Sequence, residues 1–451
     1  MEFYKNRQPI PGISEEEMEK AFKAFLDAIT EEWLNKNNYH PLRALWKRGD
    51  ILSSNELLSL GNALYEVSKI DSIWLRSQIK LMKSAERNNY LGAFAEVISI
   101  NLLNGKNHPT VPAKSNQPGY DALMALPPSA KTIRLSIKNY GQSKHESTFV
   151  KWAAKTEELV IKLLKKHKYY PVTVWIDCPN QYPSEEKWKM LHSHLDNIFK
   201  TKKNAEDPFS ALCTDVPEWI VIISPHISAN EPLHPNYNSY TFVLSSVYHQ
   251  NENDNLLSKI QEACANLTKH SATENDEIKN FLFIHLSPLA SITKCKEWLD
   301  AYFIEYPEKP ISAILFHQPS VVTNLQTGSS NINHFFFPYL RNERMNCWLP
   351  QDFQFNFTMP IGTVSNEPAL YSLNFTHPDG KIETISINDR YMYQRGNHYI
   401  QMQPDGKGGF AGNISQLAPG VFSNIVVEFP NQPGQAVIAG KFPPSDELLI
   451  L

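Results

Sequence analysis

An α/β core, set between a helical N-terminal region and a C-terminal antiparallel β region, is the architecture this 451-residue sequence predicts. Three observations carry it. Over roughly the first 90 residues apolar side chains recur at helical spacing. From about 90 to 320, short continuous apolar runs alternate with amphipathic stretches, the pattern of a largely parallel sheet covered on both faces. After about 320 the helical period is lost, and Asn, Gln, Pro, Gly and aromatic residues dominate. The length exceeds what one compact core usually serves, and these shifts divide the chain into 1–87, 88–320 and 321–451.

In order along the chain, "SEEE" at 14–17 has the capping-box pattern that starts a helix, and Met18, Phe22, Phe25, Leu26 and Ile29 follow at helical spacing. Further helices are predicted through "SNELLSLGNALYEV" and over a long segment from Asp71 to Leu103. Buried strands are predicted at "VTVWID" (172–177), "WIVII" (219–223), "YTFVLSS" (240–246), "FLFIHL" (281–286) and "ISAILFH" (311–317), with helices at 149–166, 184–199, 254–269 and 291–304. The C-terminal strands expected are "FQFNFTM", "ALYSLNF", "KIETISI", "HYIQMQ" and "NIVVEF", and "PDGKGG" at 404–409 reads as a hairpin turn.

Composition narrows the function. No run approaches the roughly 18–20 apolar residues that span a bilayer, and "MEFYKNRQPIPG" lacks a signal-peptide core, so a cytoplasmic protein without membrane association is expected. Cys178, Cys213, Cys264, Cys295 and Cys347 form no C-x-x-C pair, so reduced thiols are expected rather than zinc or disulfides. Formal net charge is -4, yet Lys131 to Tyr170 holds ten Lys/Arg against three Asp/Glu. A basic stretch on an acidic chain suits either a solvated helix face or a local polyanion site. No P-loop, G-x-S-x-G elbow or dinucleotide fingerprint precedes a helix. His192 and His194 lie two apart on a helix and so face apart.

One constellation carries chemistry. Glu96 sits in "LGAFAEVISINLL", a helix whose Phe94, Val97, Ile98 and Leu102 face a core; a glutamate on such a helix ordinarily faces solvent. Asp121 opens the strand-like "YDALMAL", and Lys138 ends "IRLSIK" after a Pro-Pro turn. The order is a helix with an acid, a strand with an acid, a strand with a lysine, then a basic helix and another strand. Phosphodiester hydrolysis needs a hard cation, and Mg²⁺ takes one or two carboxylates together with waters and phosphates. Glu96 and Asp121 can supply the carboxylates, the Ile137 carbonyl a further oxygen, and Lys138 a cation for the nucleophile and the transition-state charge.

This order, over residues 88–180, resembles the PD-(D/E)XK nuclease superfamily, with Glu96 on the first helix, Asp121 on the second strand and Ser136-Ile137-Lys138 on the third. The resemblance implies a mixed sheet of restriction-endonuclease-like type and Mg²⁺- or Mn²⁺-dependent cleavage of nucleic acid, DNA in preference to RNA. It is greatest to the branch with a glutamate on the preceding helix, found in restriction and anti-phage nucleases. Its catalytic residues would be Glu96, Asp121 and Lys138, and its metal ligands Asp121, Glu96 and Ile137. Ser136 departs from the motif, which has Asp or Glu there; a catalytically inactive nucleic-acid-binding or complex-forming subunit is the alternative. Beside this edge, Asn139, Gln142, Ser143, Lys144 and His145 are candidate phosphate contacts and Tyr140 a candidate base-stacking residue, with an ordinary polar turn as the other reading. Lys151, Lys155, Lys162, Lys165, Lys166 and Lys168 on the following helix offer a backbone-contacting surface. Asp177 is a weaker candidate for the same edge, and the C-terminal β region is a candidate surface for a protein partner.

Overall fold

The computed structural model describes residues 10–416 apart from 11, 37, 49–50, 115–118, 142, 169–171, 204–211, 226–239, 287–289, 324–329, 346–347, 350–371, 377–381, 387–389, 397 and 405–409. The N-terminal region is helical: α1 (Glu15–Ile29), α2 (Glu31–Leu34), α3 (Pro41–Lys47), α4 (Ile51–Ile70), α5 (Ser72–Met82) and α6 (Arg87–Leu103). The capping box forms, the Glu17 N–H donating to the Ser14 hydroxyl and the Ser14 N–H to the Glu17 carboxylate at 3.0 Å. Gly61 brings α4 hard against α1, since a Cβ there would lie 2.1 Å from the Ala21 carbonyl oxygen. The single helix expected over 71–103 is two. The break is held by tertiary contacts: Lys83 donates to the Ala28 carbonyl, and buried His40 meets the Ser84 carbonyl.

The chain continues through β1 (Thr110–Pro112), β2 (Ala122–Ala125), β3 (Thr132–Tyr140), α7 (Lys144–His167), β4 (Val172–Cys178), α8 (Glu185–Lys203), β5 (Leu212–Val216), β6 (Trp219–Pro225), β7 (Tyr240–Val247), α9 (Asn253–His270), β8 (Ile278–Leu286), α10 (Ile292–Glu305), β9 (Ala313–Thr323), β10 (Ser330–Leu340) and α11 (Asn342–Met345). Then follow β11 (Ser372–Thr376), β12 (Ile382–Ser386), β13 (Arg390–Gly396), β14 (His398–Pro404) and β15 (Phe410–Gln416). The strands of the middle region enter two sheets, not the one expected: β1-β2-β3-β8-β9-β10 and β13-β7-β4-β6-β5. Both are mixed. In the first, β3, β8 and β9 run parallel while the flanking pairs are antiparallel; in the second, only β4 and β7 run parallel. Apolar runs report burial on both faces but not which neighbour each strand selects, so the split is not written in them.

The boundary expected at 320 falls inside β9, which pairs with β10 from Ala313↔Leu340 to Thr323↔Ser330. Likewise β13 joins the second sheet beside β7. The C-terminal region thus lends a strand to each α/β sheet, and β11–β12 and β14–β15 form separate antiparallel ladders. Expected strands at 353–359 and 424–429 lie outside the described residues.

Side chains alternate across β3 and β8. Ile133, Leu135, Ile137, Phe281 and Phe283 join one core with α1, α4 and α6, while Tyr140, Leu282, Ile284 and Leu286 join another with α9 and α10. The helical region therefore shares its core with the first sheet. Each fully buried Leu, Ile or Phe in this seam contributes about 1.5–3 kcal/mol of transfer free energy. The second sheet packs against α7 and α8 around Phe149, Trp188, Phe199 and Trp219.

Asp177 does not reach the Asp121 edge. It lies fully buried in the second sheet, where Ser245 on β7 and Arg390 on β13 both donate to its Oδ1, and Arg390 also donates to the Pro179 carbonyl at 3.1 Å. This cluster ties three adjacent strands and fixes the C-terminal strand to the sheet. Arg390→Met, which strands the Asp177 charge, should lower stability by roughly 3–5 kcal/mol in urea unfolding. Asp177→Asn combined with Arg390→Met should recover most of that loss, because no buried charge is then left unpaired.

Candidate active site

The site is assembled at the edge where the β2–β3 ladder ends, just before the first residue of β2. Pairing of Ala122 with Leu135 leaves Asp121 just outside the β2–β3 ladder, opposite Ser136. Its backbone is held on both sides, the Asp121 N–H donating to the Leu135 carbonyl at 2.8 Å and its carbonyl accepting the Ala113 N–H at 2.9 Å. Its carboxylate turns back onto β3: Oδ2 accepts the Ile137 N–H at 2.6 Å and the Ser136 hydroxyl at 3.3 Å. Ser136 is thus a donor to Asp121, where the motif would place a second carboxylate against the first. With the ladder ended, the side of β3 carrying the Ile137 N–H and C=O faces Asp121 instead of a neighbouring strand.

Glu96 approaches from the bundle side. Helix α6 buries Tyr90, Phe94, Val97, Ile98, Ile100 and Leu102 around most of its circumference, because it packs against α4, α5 and β3 together. Glu96 is consequently half-buried, not solvent-facing, and its Oε2 accepts Gln78 Nε2–H from α5 at 3.0 Å. Lys138 approaches from the opposite face of the sheet, its side chain 16 % exposed and its Nζ 3.9 Å from Glu262 Oε1 on α9.

The three charges act on one another. Burial pushes the Glu96 carboxyl up to about 7; the Asp121 charge adds to this, and Lys138 and Gln78 draw it back. Burial likewise raises the Asp121 carboxyl, against the pull of Lys138, the Ile137 N–H and Ser136, with Glu262 pushing the other way. Two carboxyls and one ammonium, distant in sequence, therefore lie close enough to shift one another's titration. Perturbed acids of this kind concentrate at functional sites.

The donor set suits a cation that needs little from protein. Among the described residues no three His, Cys, Asp or Glu side chains come together to hold a metal ion. Mg²⁺ is commonly held by one or two carboxylates, completing its shell with water and substrate phosphate. Glu96 and Asp121 meet that requirement, with the Ile137 carbonyl on the same side of β3. A buried orphan is also present, since Gln78 Oε1 is buried with no hydrogen-bond partner among the described residues.

Of the expected nucleic-acid contacts, several lie elsewhere. Tyr140 is 4 % exposed, packed among α9 and α10, and its hydroxyl donates to Glu252 Oε1 at 3.4 Å, so it is not available to stack on a base. Ser143 is buried too, capping α7 by accepting the Glu146 N–H and donating to Glu252 Oε2 at 2.8 Å. Glu252 also accepts the Tyr391 hydroxyl. Burial, then Glu252, push the nearby Glu146 carboxyl up to about 8. His145 stacks on His249 with ring centroids 3.6 Å apart, and burial lowers its pKa below the usual histidine value. Asn139 is half-buried, lining a small cavity with Ser99, His285 and His317. Lys144, Lys151 and Lys155 are exposed, Lys155 lying over the Trp152 ring. Helix α7 packs on the second sheet. Gln142 lies outside the described residues.

Sequence reasoning missed Gln78, which no motif flags because only the packing of α5 on α6 brings it to Glu96. It also missed a chain of three imidazoles, two of them buried. His285 Nδ1 lies 3.2 Å from His317 Nδ1, and His317 Nε2 lies 2.8 Å from His334 Nδ1. Burial holds His317 and His334 neutral, His334 down to about 3. A signal existed here: "FLFIHL" and "ISAILFH" each carry a histidine within or directly after a buried apolar run.

Comparison with protein-family models, curated proteins and solved structures yields no match.

The Glu96 shift has a consequence for stability. Its carboxyl titrates near 4.5 when unfolded and about 7 when folded, so the folded state binds the extra proton between those values. Without divalent cations, this contribution should be full below pH 4.5 and lost as pH rises through 7. Glu96→Gln should match the native chain at pH 4 and exceed it at pH 8 by on the order of 2 kcal/mol in urea unfolding.

Proposed function

We propose that this chain is a metal-dependent nuclease that hydrolyses nucleic-acid phosphodiester bonds, with its active site at Glu96, Asp121 and Lys138. The observation that carries the reading is that the Asp121 carboxylate is fixed on the open edge of β3 by the Ile137 N–H at 2.6 Å and the Ser136 hydroxyl at 3.3 Å, one residue from Lys138. Three side chains from α6, the start of β2 and β3 act on one another, with the chemistry a phosphodiesterase requires. Glu96 and Asp121 would hold Mg²⁺ or Mn²⁺. Such a cation polarises a phosphoryl oxygen and lowers the pKa of a water molecule.

The protein's own groups divide the remaining work. The Ile137 N–H and the Ser136 hydroxyl fix the Asp121 carboxylate, so little reorganisation accompanies substrate binding. Lys138 orients the attacking water and offsets negative charge that builds on the phosphoryl group. Lys144 and the exposed lysines of α7 supply sequence-independent attraction for the polyanion, DNA in preference to RNA. A role in restriction or anti-phage defence accords with the resemblance noted above, and the C-terminal strands are the candidate partner surface.

Ser136 favours a second reading. A neutral hydroxyl in place of the motif's acid leaves the site with two carboxylates, and a chain that binds nucleic acid without cutting it accords with that deficit. Incubating the protein with plasmid DNA, single-stranded DNA and RNA in Mg²⁺, Mn²⁺ or EDTA separates the two. The nuclease reading expects metal-dependent cleavage, reduced at least 100-fold in Asp121→Ala and in Lys138→Ala. Salt-dependent binding without cleavage under any condition would support the inactive subunit instead.

A further inference from the structure

Lys138 has a choice of partners, and the structure shows which one it takes. Side chains alternate along β3, so Ile137 enters the core shared with the helical region while Lys138 and Tyr140 lie on the face covered by α9. The Lys138 ammonium stands 3.9 Å from Glu262 Oε1 on α9; among the described residues it pairs with no other carboxylate and makes no hydrogen bond. Its side chain is only 16 % exposed, so its three donors remain unspent in a mostly buried setting. Asp121, fixed close by through the Ile137 N–H and the Ser136 hydroxyl, is left out of the pair.

Packing explains why Glu262 is within reach. The segment leading into Asp121 passes α9 at Gly119, where φ is +105° and a Cβ would lie 2.9 Å from the Asn266 carbonyl oxygen, an approach that glycine permits. Glu262 lies one helical turn before Asn266. Two turns earlier on the same side, Asn255 donates to the Gly141 carbonyl at 3.2 Å. One face of α9 therefore follows the open edge of β3, with Glu262 between these two contacts.

An ammonium settled on the Asp121 side chain would block that side chain as a metal ligand. Glu262 offers the ammonium a different partner. At 3.9 Å, with Glu262 55 % exposed, the pair adds little to stability, and its effect is on where the ammonium lies. Asp121 responds to both groups: burial raises its carboxyl, Lys138 draws it down and Glu262 pushes it up. We infer that Glu262 is a positioning residue for Lys138, holding the ammonium on the α9 side of β3 and away from Asp121. Asp121 is then open to a divalent cation, and the Lys138 donors are open to a phosphate oxygen. The inference rests on the metal-dependent reading of the site and goes beyond it by giving α9 a part in ordering that site.

Groups that orient a metal site from outside the ligand set typically change affinity by roughly 10- to 100-fold, so the test is Mn²⁺ affinity, read without reference to cleavage. Isothermal titration with Mn²⁺ is run on the full chain as native, Glu262→Gln, Lys138→Met and the double variant, with thermal unfolding alongside. The native chain should bind Mn²⁺, and Glu262→Gln should bind about 10-fold more weakly at an unchanged unfolding temperature. Lys138→Met should bind at least as tightly as the native chain, because no ammonium is left to compete. In that background Glu262→Gln should cost no more than about threefold, the effect of an exposed charge acting at a distance. An equal loss in both backgrounds would mean that Glu262 acts on the cation directly, and would overturn the inference. Native affinity in Glu262→Gln would overturn it as well, and either outcome leaves the metal site standing. If Lys138→Met does not fold, Lys138→Gln takes its place in the same comparison. No saturable Mn²⁺ binding by the native chain would overturn the metal site and this inference together.

Discussion

The bond from the Ile137 N–H to Asp121 Oδ2, 2.6 Å long, fixes the geometry on which the proposed chemistry depends. It pins a carboxylate to the backbone of β3 at the point where the β2–β3 ladder has ended and the sheet edge is open. Had the β2–β3 ladder run two residues further, the Ile137 N–H would have gone to a neighbouring strand and Asp121 would have had no fixed position. The shortness of a four-residue strand thus creates the site. Burial then does the rest. The helical bundle and the first sheet share one core, so α6 brings Glu96 to that edge in a half-buried setting where charges are felt strongly.

The same principle recurs elsewhere in the molecule. Ionisable groups stand where separate segments meet, and each is tied by donors from more than one of them. Glu252 accepts from Tyr140 on β3, Ser143 ahead of α7 and Tyr391 on β13, so it joins the first sheet to the second. Asp177 and Arg390 join β4 to β13 across β7. The first cluster links the two sheets, and the second ties strands within one of them. The first also explains why Tyr140 and Ser143 are not available to a base or a phosphate: both are spent on Glu252.

Much of the fold was legible in the sequence, for reasons that can be named. Helical periodicity and the Ser14–Glu17 capping box marked the N-terminal helices, and continuous apolar runs marked β4, β6, β7, β8 and β9. Pairing was not legible. A run such as "VTVWID" shows that it is buried but not that it lies in a different sheet from "FLFIHL". Nor does "HYIQMQ" or its surroundings announce that β13, just upstream, completes the second sheet. At the candidate site, order and residue type singled out Glu96, Asp121 and Lys138 in the sequence. Gln78 was not legible there, since it meets Glu96 only through the crossing of α5 and α6. The lysines of α7 were readable as a charged stripe, but the sheet that the helix covers was not.

Ser136 decides how far the family pattern extends. Its hydroxyl donates to Asp121, which steadies one carboxylate without adding a charge, so on the proposed reading a cation would be held by Glu96 and Asp121. The most direct test is anomalous diffraction from crystals of the full chain soaked in Mn²⁺. The account predicts a single strong peak within ligand distance of both the Glu96 and Asp121 carboxylates. Crystals that take up Mn²⁺ only elsewhere, or none at all with this edge open to solvent, would contradict it.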